Sequence, residues 1–306
     1  MKISCRINSF LFAPAALFSV AAAIVAIYVT PVSSQTVDTA QQQWHSSALD
    51  LTSDRTVSIE AIPGTLTLSE APGSQVVLRF RGISQDKITL TRDGSQIRIK
   101  GTSSTPDVAV VNSDGNSTVT INSSGSNNRV IVNGKEVVSP SGVKESPEVE
   151  VQLPKGIDVS FHSFVSGSVG VPLRNVEVEL SGISQLNIQS AKSAKIILSG
   201  TSRLTLGNVT GPVEAEISGV GRLTLEKTDD AEIAAQLSGS SKLHAEGSFK
   251  NLKLRTRASS SVETSGLVSG DAEFDADGAS RITHTGEIRG AVRQHKSGAA
   301  KISIDS

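Results

Sequence analysis

The feature that most restricts this chain is a short phrase that returns along its second half. Leu180-Ser181-Gly182-Ile183-Ser184-Gln185-Leu186-Asn187-Ile188 lines up with Leu198-Ser199-Gly200-Thr201-Ser202-Arg203-Leu204-Thr205-Leu206, and the phrase starts again at Ile217, Leu237, Thr256, Ala276 and Lys296, at spacings of 18, 19, 20, 19, 20 and 20 residues. Repeats of this length build solenoids, in which each unit hides its apolar face against the next. Six residues after each start stand Leu186, Leu204, Leu223, Leu243, Val262, Ile282 and Ile302, all aliphatic. Two before lie Val178, Ile196, Ala215, Ala235, Leu254, Phe274 and Gln294, and four before lie Val176, Ala194, Val213, Ile233, Leu252, Ala272 and Val292. Polar columns alternate with these, the period of two that a strand produces. The expected fold is all-β: a right-handed parallel β-helix with coils of 18–20 residues and at least two strands per coil.

The remaining columns refine that reading. Two residues past the start stand Gly182, Gly200, Gly219, Gly239, Gly278 and Gly298, with Ala258 the exception, which fits a corner of positive φ. Three before the start, Glu177, Lys195, Glu214, Ala234, Lys253, Glu273 and Arg293 never place like charges side by side. Opposite charges stacked on neighbouring strands specify register more than they add stability. Five past the start the rule breaks, because Gln185, Arg203, Arg222, Lys242, Ser261, Arg281 and Lys301 form a basic column. Stacked like charges repel and ask for a counter-charge. Glu226 and Glu246, four residues further on in the same coils, are the local candidates; the functional alternative is that Arg203, Arg222, Lys242, Arg281 and Lys301 engage anionic glycan or lipid headgroups of the cell envelope.

Before the repeats the pattern is strand after strand from Val57. Ile88 to Thr91 and Ile97 to Ile99 flank Asp93-Gly94, a two-residue hairpin turn. Residues 102–147 change to Ser, Asn, Gly and Asp, with a second hairpin expected about Asn133-Gly134. Residues 35–56 show no period and read as a linker, and the coils proper run over 176–306. At the start, Lys2 and Arg6 precede an apolar run from Phe10 to Val29 and small residues to Ser34, the order of a signal peptide over 1–34 or, if uncleaved, an N-terminal anchor. The expected location is outside the cytoplasm: periplasm, outer membrane or cell surface. Cys5 is the single cysteine of 306 residues and precedes the apolar run, so the exported part contains no disulfide and rests on packing and hydrogen-bond ladders. Without Lys2 and Arg6 the chain carries 27 basic against 30 acidic side chains, which argues against a nucleic-acid partner.

With Val57-Ser58-Ile59 through Val76-Val77-Leu78, the stretch Val149-Glu150-Val151-Gln152-Leu153-Pro154-Lys155-Gly156 and the Leu-Ser-Gly-x-Ser copies from Leu180, the chain resembles the auto-transporter adhesin, head GIN domain family of bacterial exported proteins over roughly 57–306. The long insertion at 102–147 departs from the family pattern. The resemblance implies a β-helical surface or periplasmic protein without established chemistry.

Motifs of catalysis are sparse. The sequence holds no phosphate-binding glycine loop, no G-x-S-x-G elbow and no histidine pair of metal-ligand spacing. His244 and His284 fall in different columns and read as wall residues, and Asp271, Asp275 and Asp277 lack the glycine-rich loop of a calcium site. The expectation is a non-enzymatic, cofactor-free and metal-free envelope protein that binds or supports through a solenoid face, with self-association open to it. The alternative is a polysaccharide lyase or hydrolase on a β-helix, but coils this short carry no loops from which to build a cleft. A regular ice-binding rank is broken by His244 and Glu263 in the column Asn187, Thr205, Thr224, His244, Glu263, Thr283, Ser303.

Overall fold

A computed structural model describes residues 43–51, 56–102, 147–163 and 165–305, together with the strands 108–113, 116–121, 130–132 and 135–137. The expected signal segment and part of the insertion, including the turn at 133–134, lie outside the described residues. The strands Val108–Ser113 with Asn116–Ile121 and Val130–Val132 with Lys135–Val137 form two small antiparallel sheets of their own. All other strands join one sheet of 20, whose ladders are parallel throughout the repeats. This is the parallel β-helix that the repeat predicts.

Each coil presents two main faces, separated by the glycine corner. The pre-turn face stacks Leu173–Leu180, the second half of Gln185–Leu198, Val213–Ile217, the second halves of Arg222–Leu237 and Lys242–Thr256, then Ala272–Ala276 and Val292–Lys296. The post-turn face stacks the first half of Gln185–Leu198, Arg203–Val209, the first halves of Arg222–Leu237 and Lys242–Thr256, then Ser261–Val268, Arg281–Thr285 and Lys301–Asp305. Register follows the sequence columns residue by residue: Leu186 opposes Leu204, Leu204 opposes Leu223, and Leu223 opposes Leu243. From Leu186 to Ile282 this column is buried, as are Val178 to Phe274 and Val176 to Ala272 on the other side of the core. Three apolar columns thus meet as one continuous interior.

The repeated phrase has a mechanical explanation. The leading apolar residue enters the core, and the first serine hydroxyl bonds back to the coil before, as Ser199 Oγ does to Leu180 O and Ser218 Oγ to Leu198 O, both at 3.3 Å. The second serine is buried and closes the corner onto the carbonyl three residues earlier, at 2.7 Å in Ser202 and Ser241 and 2.8 Å in Ser260. Between them the glycine sits at positive φ, for example 70° at Gly219, where an added Cβ would lie 2.8 Å from the Gly200 carbonyl oxygen. The corner column is therefore glycine for two reasons, backbone conformation and the close approach of the next coil. Ala258 holds the same conformation at φ 61°.

The two ends differ from the repeats and from each other. At the N-terminal end Thr56–Glu60 runs parallel to Asp158–Ser163 on one side and to Gln96–Gly101 on the other, so the first strands sit in the same ladder as the repeats despite the insertion between them. Antiparallel strands then end the stack: Ile88–Asp93 on Gln96–Gly101, with Gly94 at φ 62° in the expected hairpin, and Gln75–Arg81 on Glu148–Leu153. Part of the stretch read as a linker is itself a strand, because His45–Asp50 pairs antiparallel with residues 75–80. Trp44 explains its position. Arg79 and Arg81 lie over its ring at 4.8 and 5.0 Å while reaching Glu150 and Glu148 at 3.0 and 2.9 Å, an arrangement of distant residues that a period search does not detect. At the C-terminal end Val292–Lys296 is exposed along its length and Lys301–Asp305 is half covered.

Candidate ligand-binding face

The basic column is continuous in the structure. Gln185 opposes Arg203, Arg203 opposes Arg222, Arg222 opposes Lys242, Lys242 opposes Ser261, Ser261 opposes Arg281, and Arg281 opposes Lys301. The five cations are exposed, because their strand neighbours one residue on fill the core and alternation turns these outward. Among the described residues none of them has a side-chain hydrogen bond or an ion pair. Glu226 and Glu246 do not neutralise the column: Glu246 is 2.8 Å from His244 Nε2, and Glu226 joins no ion pair among the described residues. The reason is strand geometry. Four residues along a strand span about 13 Å, beyond reach of a side-chain pair, whereas on a helix the same separation would bring them together.

The surroundings keep the column separate. On one side is the corner ridge, uncharged at its tip, with Ile183 76% and Val220 59% exposed. On the other is a polar rank that begins with Asn187, Thr205 and Thr224. Beyond it Thr67, Ser69, Ser168 and Gln189 line a shallow trough of 690 Å³, opened by Gly170 and Gly207 and ending at Glu70 and Glu226. The post-turn face thus passes from cations through a rank of hydroxyl and amide groups, interrupted by His244 and Glu263, to the carboxylates of Glu70 and Glu226.

The pre-turn face uses the same geometry with the opposite charge rule. Lys195 reaches Glu177 at 3.0 Å, and Lys253 and Arg255 reach Glu273 at 3.3 and 3.4 Å. The hydrogen bond that Lys195 donates to Glu177 raises its pKa above the ordinary value, and the hydrogen bond from Lys253 lowers that of Glu273. Ala234 interrupts the column and leaves a depression of 230 Å³ between Lys195, Glu216, Gln236 and Lys253.

The other singled-out residues have structural partners. His244 faces outward between Glu246 and, at 3.9 Å, Glu263. His284 is inside the core; Nδ1 is 2.9 Å from Thr264 Oγ1, the ring tilts against Phe274, and burial lowers its pKa below the ordinary histidine value. Asp271 accepts a hydrogen bond from the Ala291 amide at 2.9 Å, and Asp277 accepts from the Gly278 amide at 2.8 Å and from the Ser297 hydroxyl. Among the described residues no three His, Cys, Asp or Glu side chains are grouped to hold a metal ion, and no helix is long and apolar enough to cross a membrane.

A profile of the family described as "Putative auto-transporter adhesin, head GIN domain" matches residues 209–304, so the resemblance carried by the Leu-Ser-Gly-x-Ser copies holds over that stretch. No curated protein matches the chain. Two solved structures share its architecture. One, described as a "putative adhesin" from Parabacteroides merdae, is 8% identical with a TM-score of 0.55 and covers 86% of this chain and 97% of that one. Another, described in the same words, from Parabacteroides distasonis, is 10% identical with a TM-score of 0.54 and the same coverage. At these identities the likeness is one of fold.

Proposed function

We propose that a chain with this repeat and this family likeness is an exported, non-enzymatic protein of the cell envelope or surface, which holds an extended polyanion along Arg203, Arg222, Lys242, Arg281 and Lys301. The observation that carries the reading is the unpartnered cationic column. Adjacent strands lie about 4.8 Å apart, so the charges of Arg203, Arg222 and Lys242, and those of Arg281 and Lys301 beyond Ser261, fall within the Debye length of about 8 Å at physiological salt and their fields add. Two like charges at that separation cost up to about 0.9 kcal/mol in bulk water before screening. The fold tolerates that cost but gains nothing from it electrostatically, and the aliphatic stems would cover the sheet equally well with alternating signs. A linear acidic glycan matches a one-dimensional column better than a bilayer does, because among the described residues Ile183 and Val220 are the only large hydrophobic side chains exposed on the adjoining ridge to enter an apolar phase. The adhesin description of the family agrees with a binding role.

The test compares the purified protein with a variant carrying Arg203→Ser, Arg222→Ser and Lys242→Ser, using a polyuronate and vesicles of phosphatidylglycerol in phosphatidylcholine. The expected result is polyuronate binding that weakens steeply with added salt and is lost in the variant, whose melting temperature is unchanged. Equal binding by both proteins overturns the reading. Vesicle binding lost in the variant without any polyuronate binding transfers the column to a lipid surface and overturns the glycan assignment.

A further inference from the structure

We infer that the last coil is an association surface for a second copy of this chain, joined by antiparallel pairing of Lys301–Asp305 with itself about Ser303. The core column that is 0–5% exposed from Val176 to Ala272 reaches 42% exposure at Val292, so among the described residues nothing covers the apolar interior beyond this coil. Each strand of the last coil is bonded on one side only among the described residues: Val292–Lys296 to Ala272–Ala276, and Lys301–Asp305 to Arg281–Thr285. Free strand edges of this kind are templates for pairing unless polar or charged residues blunt them.

The two edges differ in that respect. Val292–Lys296 is blunted, since Gln294 and Lys296 occupy columns that Phe274 and Ala276 fill one coil earlier. Lys301–Asp305 is not. It reads Lys-Ile-Ser-Ile-Asp, with Ile302 and Ile304 continuing the inward columns of Ile282 and His284. That pattern is complementary to its own reverse. Laid antiparallel about Ser303, Ile302 faces Ile304 of a second copy, and each Lys301 faces the opposite Asp305. Among the described residues Lys301 has no ion pair, and the Asp305 carboxylate accepts only from the Ser303 hydroxyl, at 3.4 Å. The junction would extend both sheet and core across a two-fold axis, covering Ile302, Ile304 and the His284 beneath them. Pairing with the N-terminal end of another copy is disfavoured, because antiparallel strands and the Trp44 cluster already end the ladder there.

Sedimentation velocity over a concentration series tests the inference. The purified chain is expected to dimerise. Lys301→Asp and Asp305→Lys, each of which places like charges opposite one another, are expected to weaken the dimer at least tenfold, and the two combined to restore it. Both positions are exposed, so circular dichroism melts at concentrations where all the proteins are monomeric should be unchanged. A covalent check is available because the exported part contains no cysteine. Cross-strand Cα atoms about 4.5–5.5 Å apart suit a disulfide, so Ser303→Cys should oxidise to a covalent dimer while Lys301→Cys, far from its own copy, should not. A monomer at every concentration, an assembly indifferent to both single changes, an open-ended polymer, or equal cross-linking at 303 and 301 would overturn the inference. None of these readouts involves polyanion binding.

Discussion

The two outward charge columns lie on the same solenoid, with the same strand spacing and parallel register, and obey opposite rules. On the pre-turn face Glu177, Lys195, Lys253 and Glu273 alternate and close ion pairs across neighbouring coils. On the post-turn face Arg203, Arg222 and Lys242 stack with one sign and no partner among the described residues. A parallel ladder brings whatever is repeated into contact with itself, so geometry alone does not choose between these arrangements. Alternation on the pre-turn face specifies register. Uniformity on the post-turn face carries no structural benefit of that kind, which is why we propose the binding role there.

The strongest way to break the comparison is through the core the two faces share. Leu223→Asp would place a carboxylate among fully buried aliphatic columns and should cost more than about 4 kcal/mol, from lost burial plus an unpaired buried charge. Both faces should be lost together, with the far-ultraviolet β signal of the neighbouring coils. A soluble variant with an unchanged melting temperature would disprove the register.

A smaller effect separates the two kinds of corner. Gly219→Ala should cost about 1–2 kcal/mol by forcing an L side chain into left-handed backbone. Gly266→Ala should cost more. Its Cβ would lie 1.7 Å from the Gly247 carbonyl oxygen at φ 129°, so backbone must move. Urea midpoints of the two variants rank them, and the reverse order would contradict the close stacking of the second corner.

The smallest effect, and the one that sharpens the charge contrast, is in pH. The Glu273 carboxyl is held below its ordinary pKa by Lys253 and then Arg255, so its contribution to stability is complete above the unfolded carboxylate pKa and is lost as pH falls through the folded value. Asp158, held low chiefly by its hydrogen bond from Arg174, acts in the same sense. Stability should therefore decline modestly on acidification, and Glu273→Gln should flatten that slope. A sulfated polymer keeps its negative charge over the same range, so its binding to the post-turn column should persist. Identical slopes for wild type and Glu273→Gln would remove the pre-turn pairing from the comparison.

Much of this was readable from residue order because a solenoid converts sequence period into spatial contact. The inward columns, the corner glycine, the hairpin at Gly94 and the alignment of Arg203 with Arg222 and Lys242 all follow once the spacing is known. The second glycine corner, at Gly247, Gly266 and Gly286, was missed because it recurs only in the last coils, where the bulged strand Arg222–Leu237 gives way to a tighter stack. The strand at His45–Asp50 was missed because its partner lies outside the repeats.

Residue order by itself therefore determined the class of fold, the register and the identity of the basic column, since each depends on one residue meeting its own counterpart a coil away. Tertiary structure decided what depends on residues of unrelated position: whether Glu226 and Glu246 reach the cations, how Trp44 and two arginines finish the N-terminal end, and which strand edge stays open. Period fixes neighbours along the solenoid axis. Reach across a strand and closure of an end are set by distances that no period encodes.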